Sequence, residues 1–176
     1  MSVRCKPGDD RWDIIGPGHE VCLLLRDHNG VTKIWDISSH KELYVIPPPK
    51  YEDMSFGPYL VESCGDILAV CYNRASKATN YKFYIHLLEF GNGKGNPCWV
   101  KLSSIGDRIL FFDFTLLTGR GFGLRASDFA RFKANCIYFV DNVLRIGHVQ
   151  LINMYDIENG DIYDCNESLW LMQDEP

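Results

Sequence analysis

The chain has 176 residues, 46% of them apolar, and a formal charge of −5, enough for one domain with a real hydrophobic core. Mild acidity with scattered Lys and Arg argues against a nucleic-acid binder, which needs a concentrated basic face. No apolar run approaches the roughly 18–20 residues of a membrane-spanning helix, and the opening MSVRCKPGDDRWD has no hydrophobic secretory core, so the expected setting is intracellular, cytoplasm or nucleus.

Taken in chain order, the first element is VRCKPGDDRWDII at 3–15, two short apolar runs around a Pro-Gly-Asp turn, which predicts a hairpin. EVCLLLRDHNGVTKIWDISSHKELYVI follows from Glu20: an apolar strand, a polar turn, a strand ending in Trp35-Asp36, then a final short strand. A loop holding Pro47-Pro48-Pro49 closes that unit. The order recurs from Asp66, with DILAVCYN, a polar stretch and YKFYIHLLEFGNGKGNPCWVKL, whose second strand ends in Leu88-Glu89. It recurs again from Asn135, with NCIYFVDN, a polar stretch and VQLINMYDIENGDIYDC, ending its second strand in Tyr155-Asp156. There the Asn159-Gly160 pair supplies the positive φ of a tight hairpin. Residues 103–134 read as inserted material, with GRGFG (119–123) as a hairpin tip and SDFARF (127–132) as one helical turn capped by Ser127.

The first repeat interval suits a four-stranded propeller blade, about 40–50 residues long. Propeller inner strands are packed on both faces and read as continuous apolar runs, as CLLL, ILAVCY and CIYFV do. The expected fold is all-β: a single partial β-propeller of about three to four blade-like antiparallel meanders, with little helix. Its repeats fall near 20–46, 66–102 and 135–165, and the hairpin at 3–15 stands as the outer half of a further blade.

Residues that carry chemistry are sparse. The seven cysteines, an odd number at wide spacing, argue against a disulfide framework, and the lack of any CxxC pair argues against structural zinc. Cys22, Cys71, Cys98 and Cys136 sit in apolar runs, where a free Cys acts as a small buried hydrophobe. GRGFG is not followed by the Gly-Lys-Ser/Thr of a phosphate loop. The five histidines (His19, His28, His40, His86, His148) show no HExxH spacing, and no GxSxG elbow occurs. No catalytic, cofactor-binding or metal-ligating residue is therefore assigned, no cofactor is expected, and the chain is not expected to be an enzyme.

Longer blocks carry a resemblance. GPYLVESCGDILAVCY (57–72), FYIHLLEF, WVKLSSIGDRILFF (99–112), RASDFARFKANCIYFVDN (125–142) and YDIENGDI (155–162) occur in an order that resembles the C-terminal β-propeller of the plant F-box-associated (KIB-type) proteins. CKPGDDRW (5–12) and the Pro47-Pro48-Pro49 loop fit the same family, so the likeness covers nearly the whole chain. It implies a target-recognition propeller of a ubiquitin ligase, in which a separate F-box binds the ligase adaptor. No Leu-Pro-rich helical segment precedes Val3, so adaptor binding is not expected, and the partner is an unidentified target protein rather than nucleic acid or membrane.

Within that reading, Trp12, Trp35, Arg108, Arg125 and Trp170 are the candidate interface residues, since Trp and Arg are enriched at hot spots. SIGDR (104–108) and ASDF (126–129) either line the target-binding face or are structural, with Gly106-Asp107 making a tight turn and Arg108 bonding a nearby acid or carbonyl. Two alternatives stay open: an enzyme or small-molecule binder using the central channel, and a non-functional fragment. The channel reading needs convergent polar groups at inner strand ends, which here read Asp27, Asn73 and Asp141.

Overall fold

The computed structural model describes the backbone of residues 2–4, 12–15, 22–26 and 120, and the whole of residues 29–36, 39–50, 56–74, 81–91, 96–114, 121–140 and 152–165. These residues form three sheets. The first runs in chain order through β1 (Ser2–Arg4), β2 (Trp12–Ile15), β3 (Cys22–Arg26), β4 (Thr32–Asp36) and β5 (Lys41–Ile46), all antiparallel. The second is the four-stranded meander β6 (Phe56–Ser63), β7 (Asp66–Arg74), β8 (Tyr81–Glu89) and β9 (Cys98–Leu102). The third contains β10 (Arg108–Asp113), β11 (Arg120–Arg125), β12 (Cys136–Val140), β13 (Ile152–Asp156) and β14 (Ile162–Asp164), in the spatial order β11-β10-β12-β13-β14.

Side chains alternate between the faces of a strand, so each sheet offers two surfaces. Ile67 and Leu88 of the second sheet pack on Ile34 and Ile46 of the first, with Leu60 and Trp99 at the margin. The opposite face of the second sheet presents Val61, Leu68, Val70, Phe83 and Ile85 to Leu110, Phe112, Ile137, Phe139 and Tyr155 of the third. The three sheets thus stack face to face, each burying apolar side chains against the next. This is the stacking of successive propeller blades, and the described residues do not close it into a ring.

Several boundaries differ from those expected. The segment 3–15 is not half of a separate blade: β2 pairs with β3, which makes it the leading hairpin of the first sheet. The second sheet begins at Phe56 rather than Asp66, because β6 pairs along β7 from Phe56–Tyr72 to Ser63–Asp66. Residues 103–134 are not an insertion, for β10 and β11 are the first two strands of the third sheet. Nor are the units purely antiparallel. β11 doubles back along β10, the chain returns through 126–135, and β12 then runs parallel beside β10.

GRGFG is likewise not a hairpin tip, since 120–123 lie within β11. Its glycines are required by closeness: a Cβ on Gly121 would strike the Phe112 ring, and one on Gly123 would strike Ser63 of β6. The bare strand lets the third sheet approach the second at backbone distance. The expected helical turn is a 3-10 turn at Ala126–Asp128, and Ser127 does not cap it; no α-helix occurs among the described residues. The 155–162 hairpin forms as the Asn-Gly pair predicts, with Gly160 at φ +76° and β13 pairing with β14. Of the cysteines expected to be buried, Cys71 and Cys136 are, Cys98 is exposed at the edge strand β9, and the Cys22 side chain lies outside the described residues.

Candidate functional site

Two features of the third sheet stand out, one polar and one aromatic. The polar one joins the loops that enter β10 and β12. Asn135, at φ +58°, accepts hydrogen bonds through Oδ1 from the Ile105 N–H (2.9 Å) and the Ser104 hydroxyl (3.1 Å). Its own N–H donates to the Arg108 carbonyl and its carbonyl accepts from the Ile157 N–H, so one residue ties three loops together. Asp107 accepts from the Ser127 hydroxyl at 2.7 Å and the Ser127 N–H at 3.0 Å, fixing the 3-10 turn. The Arg108 guanidinium is bonded to Asp66 of the second sheet. SIGDR and ASDF therefore hold loops and sheets in place, with Gly106 at φ +63° making the turn.

The titratable groups near this network are set for structure. The Lys133 ammonium holds the Asp156 carboxyl below its usual range, and that bond lifts Lys133 in turn. Burial pushes the Cys136 thiol up to about 11, so at neutral pH it is protonated and poorly nucleophilic. In the second sheet, burial drives His86 down to about 4, against an opposing pull from the Ala69 backbone. No group of three His, Cys, Asp or Glu among the described residues is placed to hold a metal ion.

The aromatic feature lies on the face of the third sheet turned away from the second. Phe122 stacks on its cross-strand partner Phe111 at 4.9 Å. Phe111 meets Phe132 edge-on at 5.3 Å and stacks on Tyr138 at 5.4 Å. Phe132 continues the row to Phe129 at 6.4 Å. The row is rooted in a buried cluster of Ile109, Ala126, Cys136, Tyr138 and Cys165. Its two ends are open: Phe122 is 55% exposed and Phe129 41%. The two exposed rings, Phe122 on β11 and Phe129 in the loop after the 3-10 turn, are thus backed by buried apolar groups.

The residues singled out from sequence scatter around this row. Arg108 is engaged with Asp66, and Arg125 is exposed at the end of β11. Trp35 is half-buried on β4, and its indole N–H finds no hydrogen-bond partner among the described residues. The Trp12 side chain and the whole of Trp170 lie outside the described residues. The structure brings two of the five together, Arg108 and Arg125, which are cross-strand partners on β10 and β11, while Trp35 lies in the first sheet. Sequence reasoning missed Phe122 and Phe129, although a signal was present: Phe111, Phe112, Phe114, Phe122, Phe129 and Phe132 are six of the chain's 10 Phe residues, all within the stretch read as an insertion.

Blade-like sheets stacked face to face, with an all-β core, define a β-propeller module. The chain belongs to the KIB1-4 beta-propeller family, whose family model matches residues 2–164. No curated protein and no solved structure matches it. Among the described residues, no helix is long and apolar enough to cross a membrane.

Proposed function

We propose that this propeller is a protein-interaction module that docks a target protein on the third sheet. The observation that carries the reading is the aromatic row, whose exposed ends Phe122 and Phe129 stand on a rigid, buried base. Aromatic anchors of this kind supply most of the binding energy at protein interfaces, about 2 kcal/mol or more for a hot-spot residue. Its finer form is target recognition for an intracellular plant ubiquitin ligase, supported by the family blocks in the sequence.

The test is quantitative affinity purification from plant cells, comparing the wild-type chain with the Phe122→Ser/Phe129→Ser variant. A specific partner should be recovered with wild type and lost with the variant, at roughly the thirtyfold or greater weakening that 2 kcal/mol implies. An identical set of partners with both proteins overturns the proposal.

A further inference from the structure

The Arg108–Asp66 ion pair joins the third sheet to the second, and a second cation stands directly opposite it. Arg108 opens β10, Arg125 closes β11, and the two are cross-strand partners, so their side chains leave the same face. That face is turned toward the second sheet: the Arg108 guanidinium is bonded to Asp66, and Gly123, two residues before Arg125, lies against Ser63. Like charges directly opposite on a sheet repel, and Asp66 answers only one of them. Arg125 is exposed, and among the described residues no hydrogen bond or ion pair reaches its guanidinium. The carboxylates beside the pair are already engaged. Asp107 accepts from the Ser127 N–H and hydroxyl, and Glu62 accepts from the Gly65 N–H at 2.8 Å.

A guanidinium presents parallel N–H donors that match the two oxygens of a carboxylate. Asp66 is held by Nη2 of Arg108, and with five N–H donors on a guanidinium Arg108 has others left for a second anion. Charge selects which anion. An incoming carboxylate completes an alternating series of Asp66, Arg108, carboxylate and Arg125, balanced in sign. A phosphoryl dianion would instead add excess negative charge beside Asp66, Asp107 and Glu62.

We propose that Arg108 and Arg125 form a binding site for a carboxylate, supplied by an Asp or Glu side chain of the docked target. The identity of the occupant rests on the docking reading, while the site itself answers to any simple carboxylate. Arg125 is three residues from Phe122, about 10 Å along β11, so both fall within one partner's footprint of about 800 Å². The target should therefore carry an acidic residue roughly 10 Å from the apolar group that meets Phe122.

The test is NMR of the arginine Nε–H resonances on the full chain, wild type and Arg125→Gln, titrated with sodium acetate against sodium chloride at equal ionic strength. Acetate should shift Arg108 and Arg125 saturably and leave the exposed Arg131 unmoved. Arg125→Gln should raise the half-saturation concentration at Arg108 roughly tenfold, and inorganic phosphate should bind wild type more weakly than acetate does. Arg125→Gln should also raise the urea unfolding midpoint by about 0.2 M, a gain that shrinks with added salt, because it removes the repulsion. Shifts at Arg108 and Arg125 no larger than at Arg131, or equal with chloride, overturn the proposal. Phosphate binding tighter than acetate overturns the carboxylate assignment. A lower midpoint for Arg125→Gln overturns it too, since Arg125 then serves the fold. Saturable acetate shifts with no partner lost in Phe122→Ser/Phe129→Ser would uphold the carboxylate site and overturn the aromatic row as its neighbour in docking.

Discussion

The second and third sheets are made from the same kinds of residue and end in opposite situations. β7 and β8 are buried on both faces: Leu68, Val70 and Phe83 meet the third sheet, while Ile67 and Leu88 meet the first. β10 and β12 bury one face through Leu110, Phe112, Ile137 and Phe139. Their other face holds Phe111 and Tyr138 and runs out to Phe122, which is more than half exposed. A continuous apolar run therefore says that both faces are apolar. Whether both are covered depends on what the chain stacks beside them, and that contrast separates residues that hold the fold from residues free to bind.

The largest effect expected on this contrast is at Leu68, which is fully buried between sheets. Leu68→Ala should cost about 3 kcal/mol, measured as a drop in the urea unfolding midpoint with unchanged slope. A loss below about 1 kcal/mol would mean that the second sheet is not the rigid centre of the stack.

His86 tests the same sheet by pH. Its folded-state pKa, near 4, lies below the ordinary histidine value of 6.5, so the unfolded chain binds the proton more readily. Stability from this group is fully present above pH 6.5, falls as pH drops towards about 4, and levels off below. The whole change is of order 3 kcal/mol, and His86→Gln should flatten that part of the urea-derived stability profile. An unaltered profile would place the pH dependence elsewhere.

The junction between the two sheets is expected to be intermediate. Gly123→Ala puts a methyl group into Ser63 and should destabilise by about 1–3 kcal/mol. Adding Ser63→Gly should recover part of that loss in a double-mutant cycle; simple additivity would mean the sheets are not in contact there. The smallest stability effect belongs to the open face. Phe122→Ser loses its stacking on Phe111 and should lower the unfolding free energy by only about 1 kcal/mol, while it weakens target binding. A loss comparable to that at Leu68 would mark the row as core and remove its role in docking.

What could be read beforehand follows the same division. ILAVCY announces a strand with no polar face, and Ile67 to Cys71 are indeed all buried. The Asn159-Gly160 hairpin was legible because its turn chemistry is local. β6 was hidden because FGPYLVES mixes Gly, Pro and Ser with its apolar residues, and its partner in pairing is another segment. β11 was hidden for a related reason. Its glycines look like a flexible tip and instead answer to Phe112 and Ser63, neighbours that exist only after folding. The aromatic row spans β10, β11, β12 and the 129–132 loop, so no local pattern could assemble it.

The parallel pairing of β10 with β12 has a consequence for synthesis on the ribosome. The first two sheets are chain-order meanders, and each strand can add to its predecessor as it emerges. In the third, β10 and β11 can form only a two-stranded ribbon, marginal in water, until β12 arrives beside β10. For that interval the ribbon's phenylalanines are open to other nascent chains, and this is the stage at which the molecule is most exposed to misassembly.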